Sequence, residues 1–366
     1  MARSPFEKHL NCIKDPRRHN TRHRLHDILL IALCAIISGA DSWTQVAEFG
    51  QSKIAWFKEF LELPNGIPSH DTFGRLFARI DPKNFHAFFA RWVQDMANSL
   101  SGKTVAIDGK TLRRSHDQVN GKSPIHMVSA WASDIRLVLG QIKTDDKSNE
   151  ITAIPELIKT LALEGAIITI DAMGCQKKIT RTIIEQKADY VLQVKGNQQQ
   201  LHEDIALFFQ DTENGAFETC ETIDGDHGRI ETRQYVTTSD IDWLPGKELW
   251  ADMKTIAMVV RQREVNEKVS TETSYFISSL ENHPPTIARA IRDHWGIENG
   301  LHWCLDIAFR EDDCRVRKDN APENFGIVRQ MAINLLKRET SLKGGIQTKR
   351  LKAAWDHDYL LKVLSA

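Results

Sequence analysis

Thr104-Val105-Ala106-Ile107-Asp108-Gly109-Lys110-Thr111-Leu112-Arg113-Arg114 is the stretch whose reading decides the fold. Val105 to Ile107 form the apolar run of a buried strand, and Asp108 interrupts it. Strands disfavour Asp, and cores rarely accept an unpaired carboxylate. Taken alone, such an Asp is equally a turn residue or one half of an ion pair, so its meaning depends on which other carboxylates can join it.

Downstream, Ile125–Ala132 and Leu137–Ile142 read as second and third strands, with Ser133-Asp134 as a tight turn between them. Helix and strand then alternate: Glu150–Leu163 helical, Ala166–Asp171 extended and ending Ile-Thr-Ile-Asp, Gln176–Lys187 helical, Tyr190–Val194 extended. Three strands on short links followed by helix, strand, helix, strand predict an α/β fold with a mixed sheet, in the order of a ribonuclease H-like core. In that order the first and fourth strands are neighbours. Asp171 sits at the carboxyl end of its strand, where ligands collect in open α/β sheets, and so lies beside Asp108. Two adjacent carboxylates repel unless a cation sits between them, and all-oxygen donors favour Mg²⁺ or Mn²⁺ over zinc.

Past Lys195-Gly196-Asn197 the alternation stops. Residues 198–280 read as a strand-rich insertion, with Glu231–Thr237, Thr255–Val260 and Ser274–Ser279 as strands. Within it, His227 to Arg233 is a charged hairpin, with Arg229 as a candidate DNA-backbone contact. A helix capped by Thr286 is expected from Ile287 to about Phe309, with Trp295, Ile297, Glu298, Leu301, Leu305 and Phe309 at near-helical spacing. That places Glu298 on a core-facing stripe, where it needs a partner. The two aspartates with divalent cations would be one. Asp306, Glu311, Asp312 and Asp313 are rival third carboxylates, and Glu298 is preferred for its apolar face. Trp295 and Trp303, at helical spacing, read as core.

Before the first strand the chain is helical. Leu25–Ile37 is a buried apolar helix, Ser42-Trp43 opens a second segment, and Ile54–Leu63 is a third, closed by Pro64-Asn65-Gly66. Ser69 caps a further helix carrying Arg75 and Arg79, a helix-turn-helix pattern whose second helix is available to a major groove; a plain bundle fits as well. Phe85 to Met96, rich in Phe and Trp, reads as core. The expected organisation is a helical DNA-binding region at 1–98, the first part of the core at 99–197, the insertion at 198–280, the catalytic helix and core remainder at 281–340, and a tail at 341–366.

Composition supports an ordinary globular chain. It has 366 residues, 41% hydrophobic, with net charge −1, which is no globally basic nucleic-acid binder. Charge is uneven, however. Residues 1–26 carry seven Lys or Arg against two acids and residues 310–352 eleven against six, leaving 30 basic against 41 acidic elsewhere. Basic ends around an acidic centre suit a protein that grips a polyanion at its periphery and holds cations in its middle. Solvated helix faces would give the same pattern. The six cysteines form no Cys-x-x-Cys pair, which argues against zinc and, with a basic, His-rich start rather than an apolar leader, suggests a reducing cytoplasm. The most apolar run is about ten residues, half of what a bilayer needs. Gly109-Lys110-Thr111 imitates the end of a phosphate-binding loop, but the earlier glycine it needs falls on Thr104. His23 and His26 are more simply a solvated or DNA-facing pair than metal ligands.

Together, Ala-Ile-Asp108-Gly-Lys, Thr-Ile-Asp171-Ala-Met-Gly-Cys-Gln-Lys and His-Trp-Gly-Ile-Glu298-Asn-Gly-Leu-His-Trp resemble the acidic motifs of the DDE transposases of bacterial insertion sequences. Lys147 to Ile151, Tyr190 to Gln198, Asp312 to Arg317 and Asn320 to Asn324 narrow the resemblance to the H-repeat-associated subgroup, over nearly the entire chain. The related Tyr-Arg-Glu-Lys signature is not matched: its Tyr, Arg and Lys fall on Ile291, His294 and Leu305. The resemblance implies two ions of Mg²⁺ or Mn²⁺ held by Asp108, Asp171 and Glu298. It implies cleavage of element ends and their joining to target DNA, and a homodimer that brings two ends of double-stranded DNA together. Arg315, Arg317 and Lys318, with Lys110, are candidate phosphate contacts. Two other readings stay open: a degenerate relative that binds DNA without cutting it, and a ribonuclease H-like nuclease that does not transpose.

Overall fold

Leu25–Ile37 (α1) is apolar on nearly every face and is buried all round, so it must lie inside other structure rather than on a surface. The chain, described here by a computed structural model, meets that requirement with helices Trp43–Ser52 (α2), Ile54–Phe57 (α3), His70–Arg79 (α4) and Pro82–Met96 (α5). The described residues are 9, 12–17, 21–97, 99–116, 123–144, 150–210, 216–226, 229–266 and 268–366. Arg18, His19, Lys147 to Asn149 and His227-Gly228, which carry parts of readings made above, lie outside them. The third predicted helix is shorter than expected, stopping at Phe57 rather than Leu63. Ser69 does cap α4, accepting from the Thr72 N–H. Phe85, Phe88, Phe89 and Trp92 are buried on α5, as its composition suggested.

Nine strands then form one mixed sheet: Thr104–Thr111 (β1), His126–Ala132 (β2), Leu137–Lys143 (β3), Ile167–Ile170 (β4), Asp189–Val194 (β5), Glu218–Asp226 (β6), Arg229–Thr238 (β7), Thr255–Val265 (β8) and Lys268–Ser278 (β9). Their spatial order is β3-β2-β1-β4-β5-β9-β8-β7-β6. β1, β4 and β5 are parallel neighbours, linked by Glu150–Thr160 (α6) and Lys177–Glu185 (α7), as crossover connections require. Beyond β5 and Gln199–Phe208 (α8) the chain returns in a meander whose last strand, β9, pairs antiparallel with β5, Val191 opposite Ser278. Strands β6 to β9 thus continue the same sheet.

Pro284–His294 (α9) packs Ile287, Ala288, Ala290 and Ile291 against Ile167, Val191, Tyr235 and Ala257. The expected single helix through Phe309 is in fact interrupted. A π-turn at Glu298–His302 separates α9 from Trp303–Ala308 (α10). Close approach to β2 accompanies the break: a Cβ at Gly296 would lie 2.8 Å from Ser133 Oγ, and one at Gly300 2.9 Å from Trp131. Both glycines are therefore required by the packing.

Ala321–Arg338 (α11) is the bolt of the structure, buried along almost its whole length. Its Asn324 amide donates to the carbonyls of Phe77 (2.7 Å) and Ile80 (3.0 Å), satisfying the end of α4. Its Asn334 takes the place of a tenth strand at the open edge of β3, accepting from Val138 N–H at 2.8 Å and donating to Val138 C=O at 2.9 Å. One helix thereby holds the N-terminal helices to the sheet. Ile346–Trp355 (α12) and His357–Leu364 (α13) close the chain. Among the described residues no helix is long and apolar enough to cross a membrane.

Candidate active site

The register between β1 and β4 sets the site. Ile107 pairs with Ile170 in parallel, so the residues that follow, Asp108 within β1 and Asp171 just past the carboxyl end of β4, stand side by side. Asp171 caps the turn that follows, accepting from the N–H groups of Met173 (3.1 Å) and Gly174 (3.4 Å). One Asp108 oxygen accepts from Gly109 N–H at 2.9 Å. Its other oxygen lies 3.5 Å from Nδ1 of His302.

Electrostatically the place is short of positive charge. Burial, then repulsion from Glu150, Asp171 and Glu298, pushes the Asp108 carboxyl up to about 7, against the pull of the Gly109 N–H. Asp171 is raised for the same reasons, burial first and Glu150 second, with its two backbone donors and Lys195 opposing. Asp108 thus senses Glu150, Asp171 and Glu298, and Asp171 senses Glu150. Their hard oxygens are the donor set that Mg²⁺ or Mn²⁺ takes. Among the described residues no three His, Cys, Asp or Glu side chains close into a ready-made metal cage.

Glu298 reaches this edge differently from the sequence expectation. It is exposed, at the first position of the π-turn, rather than on a core-facing stripe. A π-turn widens the helix by one residue, so a helical count carried through it misplaces every later side chain. Trp295 and Trp303, expected in the core, are 45% and 60% exposed and flank Glu298. The Tyr-Arg-Glu-Lys positions are packed away: Ile291 and Leu305 are buried. His294 bonds the Thr169 hydroxyl at 3.1 Å, and burial holds it neutral by lowering its pKa to about 4.

Lys110 faces protein carboxylates. Its ammonium bonds Asp306 and, at 2.8 Å, Glu311, with Asp312 at 3.9 Å. Burial works against its charge, but Glu311 and Asp306 more than offset that and raise its pKa. Arg113 and Arg114 reach Asp312 (3.1 Å) and Asp313 (3.6 Å). Arg315 and Lys318 are exposed, while Arg317 is half-buried and donates to the Arg114 carbonyl at 3.0 Å. Arg229 is exposed with Glu231 at 3.8 Å. Arg75 and Arg79, exposed on α4, line a groove of about 620 Å³ with Arg17, Arg22 and His23, and among the described residues no acid lines it.

Three contributors escaped the sequence reading. Glu150 lies within the stretch Lys147 to Ile151, where nothing in the sequence marks it as a ligand. Lys195 follows β5 at the same sheet edge. His302 is largely covered and held near pKa 4, first by burial and then by Lys110; its Nε2 has no partner among the described residues, and its ring lines a cavity of about 10 Å³ with Gln141 and Gln330.

This chain belongs to the DDE-domain transposases: residues 100–335 match the family described as Transposase DDE domain, and residues 7–93 the one described as DDE_Tnp_1-associated. Within the family it is similar to the H repeat-associated putative transposase YhhI of Escherichia coli K12, 40% identical over all of this chain and 99% of that one. YbfD of the same organism, also named an H repeat-associated putative transposase, is 42% identical over 67% of this chain and 98% of its own length. Among solved structures, a piggyBac transposase synaptic complex with hairpin DNA aligns with 96% of this chain and 76% of its own, at 12% identity and TM-score 0.41. Nothing below rests on that likeness.

Proposed function

We propose that this chain cuts DNA at the ends of a mobile element and joins those ends to target DNA by metal-dependent phosphoryl transfer, on a ribonuclease H-like core. The observation that carries the proposal is the parallel pairing of Ile107 with Ile170, which brings Asp108 of β1 beside Asp171 at the carboxyl end of β4. Asp108 and Asp171, with Glu298 at the rim, are the side chains that would hold Mg²⁺ or Mn²⁺. Two such ions would supply the Lewis acidity that the attacking and leaving oxygens of a phosphodiester need.

The protein's own part is positioning. Backbone N–H groups fix the Asp171 carboxylate, and Gly109 N–H with His302 brackets that of Asp108. Trp295 and Trp303, exposed beside Glu298, offer ring faces to a base displaced at the cleaved end. Arg75 and Arg79, in an acid-free groove, and exposed Arg229, Arg315 and Lys318 contact phosphates; Arg317 braces Arg114 between them. Lys110 organises the acids beside the site rather than the substrate. Bringing two ends together calls for two copies of the chain on DNA.

The test uses the full chain with labelled duplex from the sequence flanking its reading frame and a plasmid target. Divalent-dependent release of a 3′-hydroxyl end and its transfer to the plasmid are expected, both lost in Asp108→Asn. Tight binding without cleavage in either metal would favour the non-cutting relative. Cleavage of branched duplexes regardless of end sequence would favour the nuclease.

A further inference from the structure

Successive residues of a strand face opposite sides of its sheet. Asp108 and Lys110 face the side of α9 to α11, where Lys110 meets Asp306 and Glu311. Gly109 and Thr111 face the side of α6. There a chain of hydrogen bonds runs from the Thr111 hydroxyl to His126 Nδ1 at 2.8 Å, and from His126 Nε2 to Glu150 Oε1 at 2.7 Å. With Nε2–H donating to the carboxylate, Nδ1 is left to accept the Thr111 proton.

The carboxylate so held lies directly over the peptide that follows Asp108. A Cβ on Gly109 would stand 2.2 Å from Glu150 Oε1 and 2.4 Å from His126 Nε2. Gly109 has ordinary extended backbone, so it is a glycine for this space and not for its conformation. Glu150 is the first residue of α6, where the helix N-terminus favours a negative side chain. It is largely covered, yet neither Lys nor Arg pairs with it among the described residues. Its described partner is a histidine, and carboxylates that bind metal are commonly held by such an outer hydrogen bond.

We propose that Glu150 is a fourth carboxylate ligand of the divalent-metal site, aimed by the Thr111–His126 relay and admitted by the missing side chain of Gly109. This rests on the reading of Asp108 and Asp171 as metal ligands. It gives the site a ligand from each face of the sheet: Asp108 from one side, Glu150 from the other, and Asp171 from the strand end between them. Repulsion of Asp108 and Asp171 by Glu150 agrees with that placement.

The experiment is a Mn²⁺ titration of the full chain without DNA, read by loss of the free-ion electron paramagnetic resonance signal, with thermal unfolding of each metal-free variant alongside. Wild type is expected to take up Mn²⁺ saturably. Glu150→Gln is expected to bind at least about tenfold more weakly, while unfolding at or above the wild-type temperature because a like-charge repulsion is gone. Gly109→Ala keeps every carboxylate but places a methyl against Glu150, and is expected to show the same weakening; should it fail to fold, Glu150→Gln decides alone. Wild-type affinity in Glu150→Gln together with loss in Asp108→Asn would overturn the proposal and leave the Asp108 and Asp171 reading standing. Absence of saturable uptake in wild type would overturn both.

Discussion

Two groups of acids flank β1, and they live under opposite electrostatic conditions. Asp306, Glu311, Asp312 and Asp313 are met by Lys110, Arg113, Arg114, Arg310 and the buried Arg329. Among the described residues, the cation that opposes the acids Asp108, Asp171, Glu150 and Glu298 is Lys195, with His302 beside Asp108 and His126 on Glu150. Along the chain the two groups look alike, and the first supplied every rival for the third ligand. The difference is that one set has its cations built into the protein, while the other, as the proposed metal site, would take them from solution. Carboxylates left repelling each other in a partly buried place cost stability, which a bound divalent ion returns.

The sharpest way to break this comparison is to neutralise one acid from each group. Asp108→Asn or Asp171→Asn is expected to lower cleavage of end DNA by roughly 10³-fold or more, measured by gel assay in Mg²⁺. Asp306→Asn is expected to leave cleavage within about tenfold, and an equal loss there in a folded protein would erase the distinction. Next in size, Lys110→Met strips the cation from the saturated group and leaves Glu311, itself buried, facing only Arg329. Breaking a buried pair on one side costs about 3–5 kcal/mol, to be read from urea unfolding; a change below about 1 kcal/mol would show that this network does not support the fold.

A third contrast separates phosphate contacts from internal cations. Arg75→Ala and Arg79→Ala are each expected to reduce the salt dependence of duplex binding by about one in the logarithmic slope, while Lys110→Met leaves that slope unchanged. A fourth contrast concerns pH. Asp108 holds its proton up to about 7 in the fold, against an ordinary 3.8. The folded chain therefore binds the proton more tightly across that interval, and stability is lost as pH rises through it. Metal-free wild type should lose ground to Asp108→Asn between about pH 4 and pH 7 and no further above, with saturating Mg²⁺ closing the gap. Thermal unfolding of the pair at several pH values measures it.

Much of the mixed sheet was legible because its strands are short apolar runs bounded by turn residues. Thr104–Ile107, Ile125–Ala132, Leu137–Ile142 and Tyr190–Val194 each fall within a residue or two of an observed strand at one or both ends. Asp108 and Asp171 followed from strand order alone. Glu298 was picked for a reason the structure removes, since its stripe is cut by the π-turn that Gly296 and Gly300 permit. Periodicity cannot register a break caused by packing against Trp131, which lies far away in sequence. The same break exposes Trp295 and Trp303. Lys110 looked free because its partners lie roughly 200 residues downstream, and β6 was missed because Glu218–Asp226 is polar, bearing charge rather than an apolar rhythm.

The antiparallel join between β5 and β9 has a bearing on handling the molecule. Val191, Leu192 and Val194 of β5 are buried, and the backbone of Tyr190 is held by the hydroxyls of Ser278 and Ser279 at 2.8–2.9 Å. A version trimmed of residues 198–280 would turn this apolar strand into an open rim with unanswered N–H and C=O groups, the kind of surface that recruits other chains into aggregates. The meander is thus the core's solubility guard, and a minimal catalytic fragment would have to carry it along.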